Sequence, residues 1–206
     1  MPTTRTTGGP AAPAITPAIA LAIIDMQNDF VLPGAPACVA GAQATLPVLR
    51  RLLAHARTEG WRVFHVARAH RADGSDAELF RREAFRQGRG ICVTGTPGAE
   101  IVPELAPLPG ETVLRKTRFS AFHATEFEVL LRRQGITTLV IGGTQYPNCV
   151  RGTAVDAMAR DFEVVVVTDA CSAQTPEVAA ANIADMLNMG IACADFAALP
   201  ALLRRA

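Results

Sequence analysis

"TTLVIGGTQYPNCVRGTA", residues 137–154, runs from a short apolar stretch through two glycines into a polar turn and places Cys149 just ahead of a helically spaced segment. Thr138 to Ile141, bounded by Gly142 and Gly143, reads as a buried strand, and the residues from Cys149 onward read as the opening of a helix. A strand that hands over to a helix is half of a βαβ unit. Further short apolar runs repeat the rhythm at Ile19 to Ile24, Val63 to Ala67, Thr112 to Leu114, Val164 to Val167 and Ile191 to Cys193. Helical spacing fills the intervals, around 44–59, 76–87, 124–134, 149–160 and 176–189, with a last helix near 195–205. Thr175-Pro176-Glu177 is a helix start, and Gly60, Gly135 and Gly190 each follow a helical segment as a stop. Strands this uniformly apolar need cover on both faces, so the expected fold is α/β: a three-layer α/β/α arrangement around a central, mostly parallel six-stranded sheet of Rossmann-like type.

The chain has 206 residues, 50% of them hydrophobic and 19% charged, enough for one domain to bury its own core. Residues 1–18, rich in Thr, Pro and Ala, read as a disordered lead-in, and 19–206 as the domain. A net charge of +1 with scattered cations carries no footprint for nucleic acid or an anionic membrane, so the expected partner is a small molecule. The five cysteines are irregularly spaced with no C-x-x-C, which argues against a disulfide framework or a zinc ribbon and suits a reducing cytoplasm. The segment 68–110, rich in Gly, Pro and Arg, is the longest irregular stretch and a candidate mobile wall over a site.

In an open parallel sheet, ligands sit beyond the carboxyl ends of the strands. Asp25 ends the first apolar run, Lys116 follows the third, and Cys149 follows the fourth, so all three can meet on one edge. A cysteine at a helix N-terminus beside an ammonium is shifted toward the thiolate, and an aspartate can take the thiol proton and return it to a leaving group. Backbone N–H groups of Cys149 and Gln145 are candidates to hold a developing oxyanion. The same residues have plain structural readings: Cys149 as a small buried filler, Asp25 as a turn cap, Lys116 as part of a solvated charge run. A Cys-His pair with His123 or His70 is formally possible, and Cys171 is a weaker nucleophile candidate.

Ile23-Ile24-Asp25-Met26-Gln27-Asn28-Asp29-Phe30, Lys116-Thr117-Arg118-Phe119-Ser120-Ala121-Phe122, Gly143 to Ala154, and Val167-Thr168-Asp169-Ala170-Cys171-Ser172 together carry a resemblance. Over about residues 19–194 the chain resembles the isochorismatase-like cysteine hydrolases, a superfamily of nicotinamidases, N-carbamoylsarcosine amidases, biuret and ureidoacrylate amidohydrolases, and isochorismatases. The likeness implies Asp25, Lys116 and Cys149 as a triad, a homo-oligomer (dimer or tetramer), and a non-proline cis peptide before the nucleophile, at Thr144-Gln145. Nicotinamidases resembling this chain carry an Asp and two His after the second strand to bind a metal. Here that stretch reads Val66-Ala67-Arg68-Ala69-His70-Arg71-Ala72-Asp73, and a cation with a missing second His leads to an expectation of no metal and no cofactor, even with His70, Asp73 and Asp76 nearby.

The leading expectation is therefore a cysteine hydrolase cleaving a C–N bond of a small amide, ureide or carbamoyl compound through a thioester on Cys149. Phe30 and Tyr146 are expected to pack the substrate body, and Arg118 to pair a substrate carboxylate. Two alternatives stand beside it: a metal-free vinyl ether or ester hydrolase using Asp25 as general acid, and a catalytically idle binding or scaffold protein of the same fold.

Overall fold

A computed structural model describes residues 18–204, and the lead-in expected over 1–18 lies outside them except for Ala18, which opens the first strand. The strands are β1 (Ala18–Ile24), β2 (Arg62–Arg68), β3 (Thr112–Lys116), β4 (Ile136–Thr144), β5 (Glu163–Ser172) and β6 (Ala192–Ala194). They form one sheet in the order β3-β2-β1-β4-β5-β6, and every pairing is parallel. The helices are α1 (Asn28–Val31), α2 (Ala42–Thr58), α3 (Arg82–Arg86), α4 (Phe127–Arg133), α5 (Arg151–Met158), α6 (Pro176–Asn188) and α7 (Leu199–Leu203).

Alternation along the strands divides the core in two. Ala20, Ala22, Ile24, Phe64, Val66, Leu139 and Ile141 face one way, packing with Phe122, Phe127, Leu131, Val150, Ala154 and Met186. Leu21, Ile23, Val63, Val140, Val165 and Val167 face the other, against Leu49, Leu52 and Leu53 of α2 and Leu199 of α7. Each central strand thus buries both faces, which is why its residues read as continuous apolar runs rather than as an alternation.

Three expected helices differ from their observed form. The segment expected as a helix over 76–87 becomes a tight turn, Leu79–Arg81, followed by the short α3. The physical reason is tethering: Asp76 accepts from the Arg71 amide and Glu78 accepts from Arg68, which folds residues 71–78 into turns tied to the end of β2. The last helix shrinks to α7. The helix after β4 opens with a wide turn over Tyr146–Val150, in which the Val150 amide reaches back five residues to the Gln145 carbonyl before α5 begins.

Candidate active site

The sheet order reverses between β1 and β4, since β2 and β3 lie to one side and β5 and β6 to the other. That switch point is where the loops leaving two neighbouring strands diverge and open a crevice. Asp25 stands at the β1 rim of it and Cys149 just beyond the β4 rim, with Arg68 and Lys116 at the ends of β2 and β3. The two rims approach closely because Gly143, at φ 123°, lies against Ile24, where any Cβ would collide with the Ile24 backbone. The peptide between Thr144 and Gln145 is cis.

Asp25 leaves β1 with φ at 51°, a left-handed conformation that an L residue with a Cβ adopts only where its surroundings enforce it. Its amide still donates to Val66 at 2.8 Å, and its carbonyl accepts from Gln27 at 2.8 Å, so the chain turns sharply. Lys116 donates to Oδ2 of Asp25 at 2.7 Å, both side chains being wholly buried. Oδ1 of Asp25 has no hydrogen-bond donor, and the charge of this carboxylate acts on the Cys149 thiol across the small cavity that both line. Burial pushes the Cys149 thiol above its ordinary value and the Asp25 carboxylate adds to the rise, while Lys116 and Arg68 pull it down without reversing it. The expectation of a thiol shifted toward thiolate is thus corrected: desolvation of Cys149, with Asp25, outweighs the pull of Lys116 and Arg68.

Arg68 is the largest of the fully buried side chains. Its Nη1 donates to Glu78 at 2.7 Å and to the Thr117 carbonyl at 3.3 Å, and its Nη2 to the Arg118 carbonyl at 3.3 Å and to Cys149 Sγ at 3.4 Å. Burial works against its charge, but Asp25, Cys149 and Glu78 outweigh that and keep the guanidinium protonated. His70, also buried, sits 3.5 Å from Arg68 Nη1. Asp73 is turned to Ser75 on the surface. The residues of this segment do not fit a metal ion, because the Arg68 guanidinium lies within 3.5 Å of His70 Nε2 and 2.7 Å of Glu78 Oε1, where its fixed charge would repel a second cation.

A small cavity of about 10 Å3, the space of roughly one water molecule, lies over Cys149. Asp25, Phe30, Val39, Arg68, Arg81, Phe119, Thr144, Gln145 and Asn148 line it with Cys149. Of the expected site residues, the structure therefore brings together Asp25, Lys116, Cys149, Gln145 and Phe30. It turns two away. Tyr146 points into the core, where its hydroxyl donates to the Thr168 carbonyl at 2.9 Å. Arg118 lies outside the cavity, donating to the carbonyls of Asp76 and Thr117.

Arg81 and Phe119 were not foreseen, and Arg68 was weighed only against a metal. Arg68 had a signal, since it ends β2 just as Asp25 ends β1 and Lys116 ends β3. The wall over the site is pinned by the three residues after the first turn. Gln27 donates to the Arg68 and Ala99 carbonyls and accepts from the Arg68 amide, Asn28 donates to the Pro97 carbonyl, and Asp29 accepts from the Cys92 amide.

Comparisons with known proteins give the family of the chain. The family model described as "Isochorismatase domain" matches residues 19–198. A protein of Arabidopsis thaliana described as a probable inactive nicotinamidase is 45% identical over 175 residues, covering 84% of this chain and 89% of that one. The maleamate amidohydrolase of Pseudomonas putida is 35% identical over 171 residues, 81% of this chain and 78% of its own. The crystal structure of an isochorismatase family protein from Desulfovibrio vulgaris superposes with a TM-score of 0.90 at 66% identity, covering 91% of this chain and 99% of that one.

Proposed function

We propose that this chain, which belongs to the isochorismatase family, is an amidohydrolase that cleaves a C–N bond of a small amide, ureide or carbamoyl compound through a thioester on Cys149. The single observation that carries the reading is the split use of one carboxylate: Lys116 holds Oδ2 of Asp25 at 2.7 Å, and Oδ1 is left for the Cys149 proton.

In the first half-reaction Asp25 takes the Sγ proton as Cys149 attacks the substrate carbonyl. The thiolate that forms is met by Lys116 and Arg68, whose charges were already in place. The backbone amides of Gln145 and Cys149 are assigned to the developing oxyanion. Collapse of the tetrahedral species expels the amine, which leaves with the proton from Asp25. In the second half, Asp25 accepts a proton from water as that water attacks the thioester, and the carboxylic acid departs with the thiol restored. Phe30, Val39 and Phe119 supply the apolar walls of the site.

Cys149→Ala and intact-mass detection of an acyl adduct during turnover test the reading. Loss of activity in the variant and an adduct on Cys149 in the wild type are expected, whereas full turnover of an accepted amide by Cys149→Ala would sink it. A second reading, an idle protein of the same fold, draws on the description of the Arabidopsis relative as probably inactive and on the narrowness of the cavity; it expects no adduct with any amide. The proposed setting is cytoplasmic, which the five free cysteines support, and among the described residues no helix is long and apolar enough to cross a membrane. The proposed assembly is a homo-oligomer, a dimer or tetramer, to be checked by sedimentation.

A further inference from the structure

Around the Cys149 cavity, charges accumulate in an unequal count. Asp25 and Lys116 cancel as a buried pair. Arg68 and Arg81 both line the cavity, and one carboxylate, Glu78, serves the two of them: its Oε1 is 2.7 Å from Arg68 Nη1 and its Oε2 3.3 Å from Arg81 Nε. The second contact is misaligned, since neither Glu78 Oε2 nor Arg81 Nε makes a hydrogen bond. Arg68 Nε is buried without a partner as well. His70 adds no charge: burial and the neighbouring Arg68 lower its proton affinity, although Glu78 and Asp76 act the other way. With Cys149 protonated, the lining and its ion-pair partners sum to one positive charge, shared by a fully buried Arg68 and an Arg81 side chain 22% exposed, with donors left over.

A partly desolvated cation in excess of its counterions favours an anion beside it, and a guanidinium pairs bidentately with a planar carboxylate. We propose that the cavity is built for a substrate bearing one negative charge, with Arg68 and Arg81 as the anion's partners and Glu78 as the specificity-determining residue that cancels one of the two cations. Resting on the reading of this cavity as the substrate site, it names the substrate class: a small monoanionic amide, ureide or carbamoyl compound. The anionic group lies close to the scissile bond, because Arg68 Nη2 is only 3.4 Å from Sγ. Arg81 rides on the Leu79–Arg81 turn, which presents Leu79 and Phe80 to solvent and sets the second cation in the lining of the cavity.

Two alkylating reagents of nearly equal size test this without any turnover: iodoacetate, a monoanion, and neutral iodoacetamide. The rate ratio of iodoacetate to iodoacetamide is read at Cys149 and at Cys38 in the same molecules by peptide mapping, so intrinsic reagent reactivity divides out. In wild type the ratio at Cys149 is expected to exceed that at Cys38 by about tenfold or more. Arg81→Gln should bring it down toward the Cys38 value, and Glu78→Gln should raise it further, a rise that a merely structural role for Glu78 would not produce. If Glu78→Gln does not fold, Arg81→Gln on the half-exposed turn still decides. Equal ratios at the two cysteines, a ratio indifferent to Arg81→Gln, or a Cys149 that neither reagent labels while Cys38 reacts, each overturns the proposal. A protein that turns over amides yet shows no iodoacetate preference loses the charge assignment alone; one that shows the preference but no acyl adduct loses the amidohydrolase reading alone.

Discussion

The candidate site is made of two unlike regions. One is the row of strand ends, where Asp25, Arg68 and Lys116 are buried to within 1% exposure and the backbone beneath them is tied into the sheet. The other is the wall formed by residues 69–110, held by side-chain tethers and short turns, with Leu79 exposed at 79% and Phe80 at 66%. The strand ends hold the groups of the proposed reaction chemistry in fixed geometry, and the wall brings in the group, Arg81, that would choose what reacts. Rigid chemistry and adjustable selection are thereby separated in the chain. A fixed sheet supplies preorganisation, while the wall, anchored by Ile91, Val102 and Leu105, leaves the turn at Leu79 and Phe80 open to solvent.

The difference can be broken from the strand-end side, where effects should be largest. Cys149→Ala and Asp25→Asn should each lower turnover by about 10^3-fold or more, because nucleophile and base act as one unit; a loss of only severalfold in steady-state rate would show that the pair is not the reacting centre. Arg68→Met should lower stability by about 3–5 kcal/mol, since it leaves Glu78 and two carbonyls without their buried donor. Urea unfolding measures this, and a midpoint unchanged from wild type would mean the guanidinium is dispensable to the fold.

Titration of Cys149 sharpens the contrast further. Its alkylation rate should rise with pH through a midpoint above the ordinary thiol value of 9.0. Since burial and Asp25 raise that midpoint and Lys116 lowers it, Asp25→Asn should move it down and Lys116→Ala up; opposite shifts would reverse the electrostatic account. On the wall, Gln27→Leu removes three hydrogen bonds that join it to β2, and hydrogen exchange over 92–101 should speed up by more than exchange in β1 does.

The smallest effect is expected far from the site. Burial opposes ionisation of Glu111, but bonds from Arg57, the Leu108 amide and His65 hold its carboxyl at about 2. A carboxyl depressed in the folded state stabilises above its ordinary value of 4.5, and that contribution disappears as pH falls from 4.5 toward about 2. Glu111→Gln should therefore flatten the fall in thermal midpoint across that window while leaving kcat/KM at neutral pH unchanged.

How much of this could be read from residues alone follows the same division. The strand runs announced their own burial, and Asp25, Lys116 and Cys149 were found by asking what polar groups end them. Arg68 obeys the same rule, but next to His70, Asp73 and Asp76 its residue type speaks first against a metal and only then for a place in the site. Tyr146 and Arg118 were misplaced for another reason: their positions in the chain are near the site, but the direction of a side chain leaving a turn depends on backbone angles that periodicity does not carry. The wide turn over Tyr146–Val150 sends the tyrosine into the core, and Arg118 is drawn aside by the carbonyls of Asp76 and Thr117. Arg81 had no signal at all, since it lies in a stretch expected to be one long helix, whereas tethers at Asp76 and Glu78 break that stretch and the tight turn Leu79–Arg81 sets it in the cavity lining.

The size of the cavity bears on which nucleophile could finish the proposed reaction. With room for about one water molecule over Cys149, an acyl group could be seated there only by displacing the lining, and every further atom of an attacking nucleophile would need more space still. Hydrolysis would then prevail over acyl transfer by volume alone. In mixtures of water with small alcohols, ester by-product should fall off with the length of the alcohol rather than with its basicity.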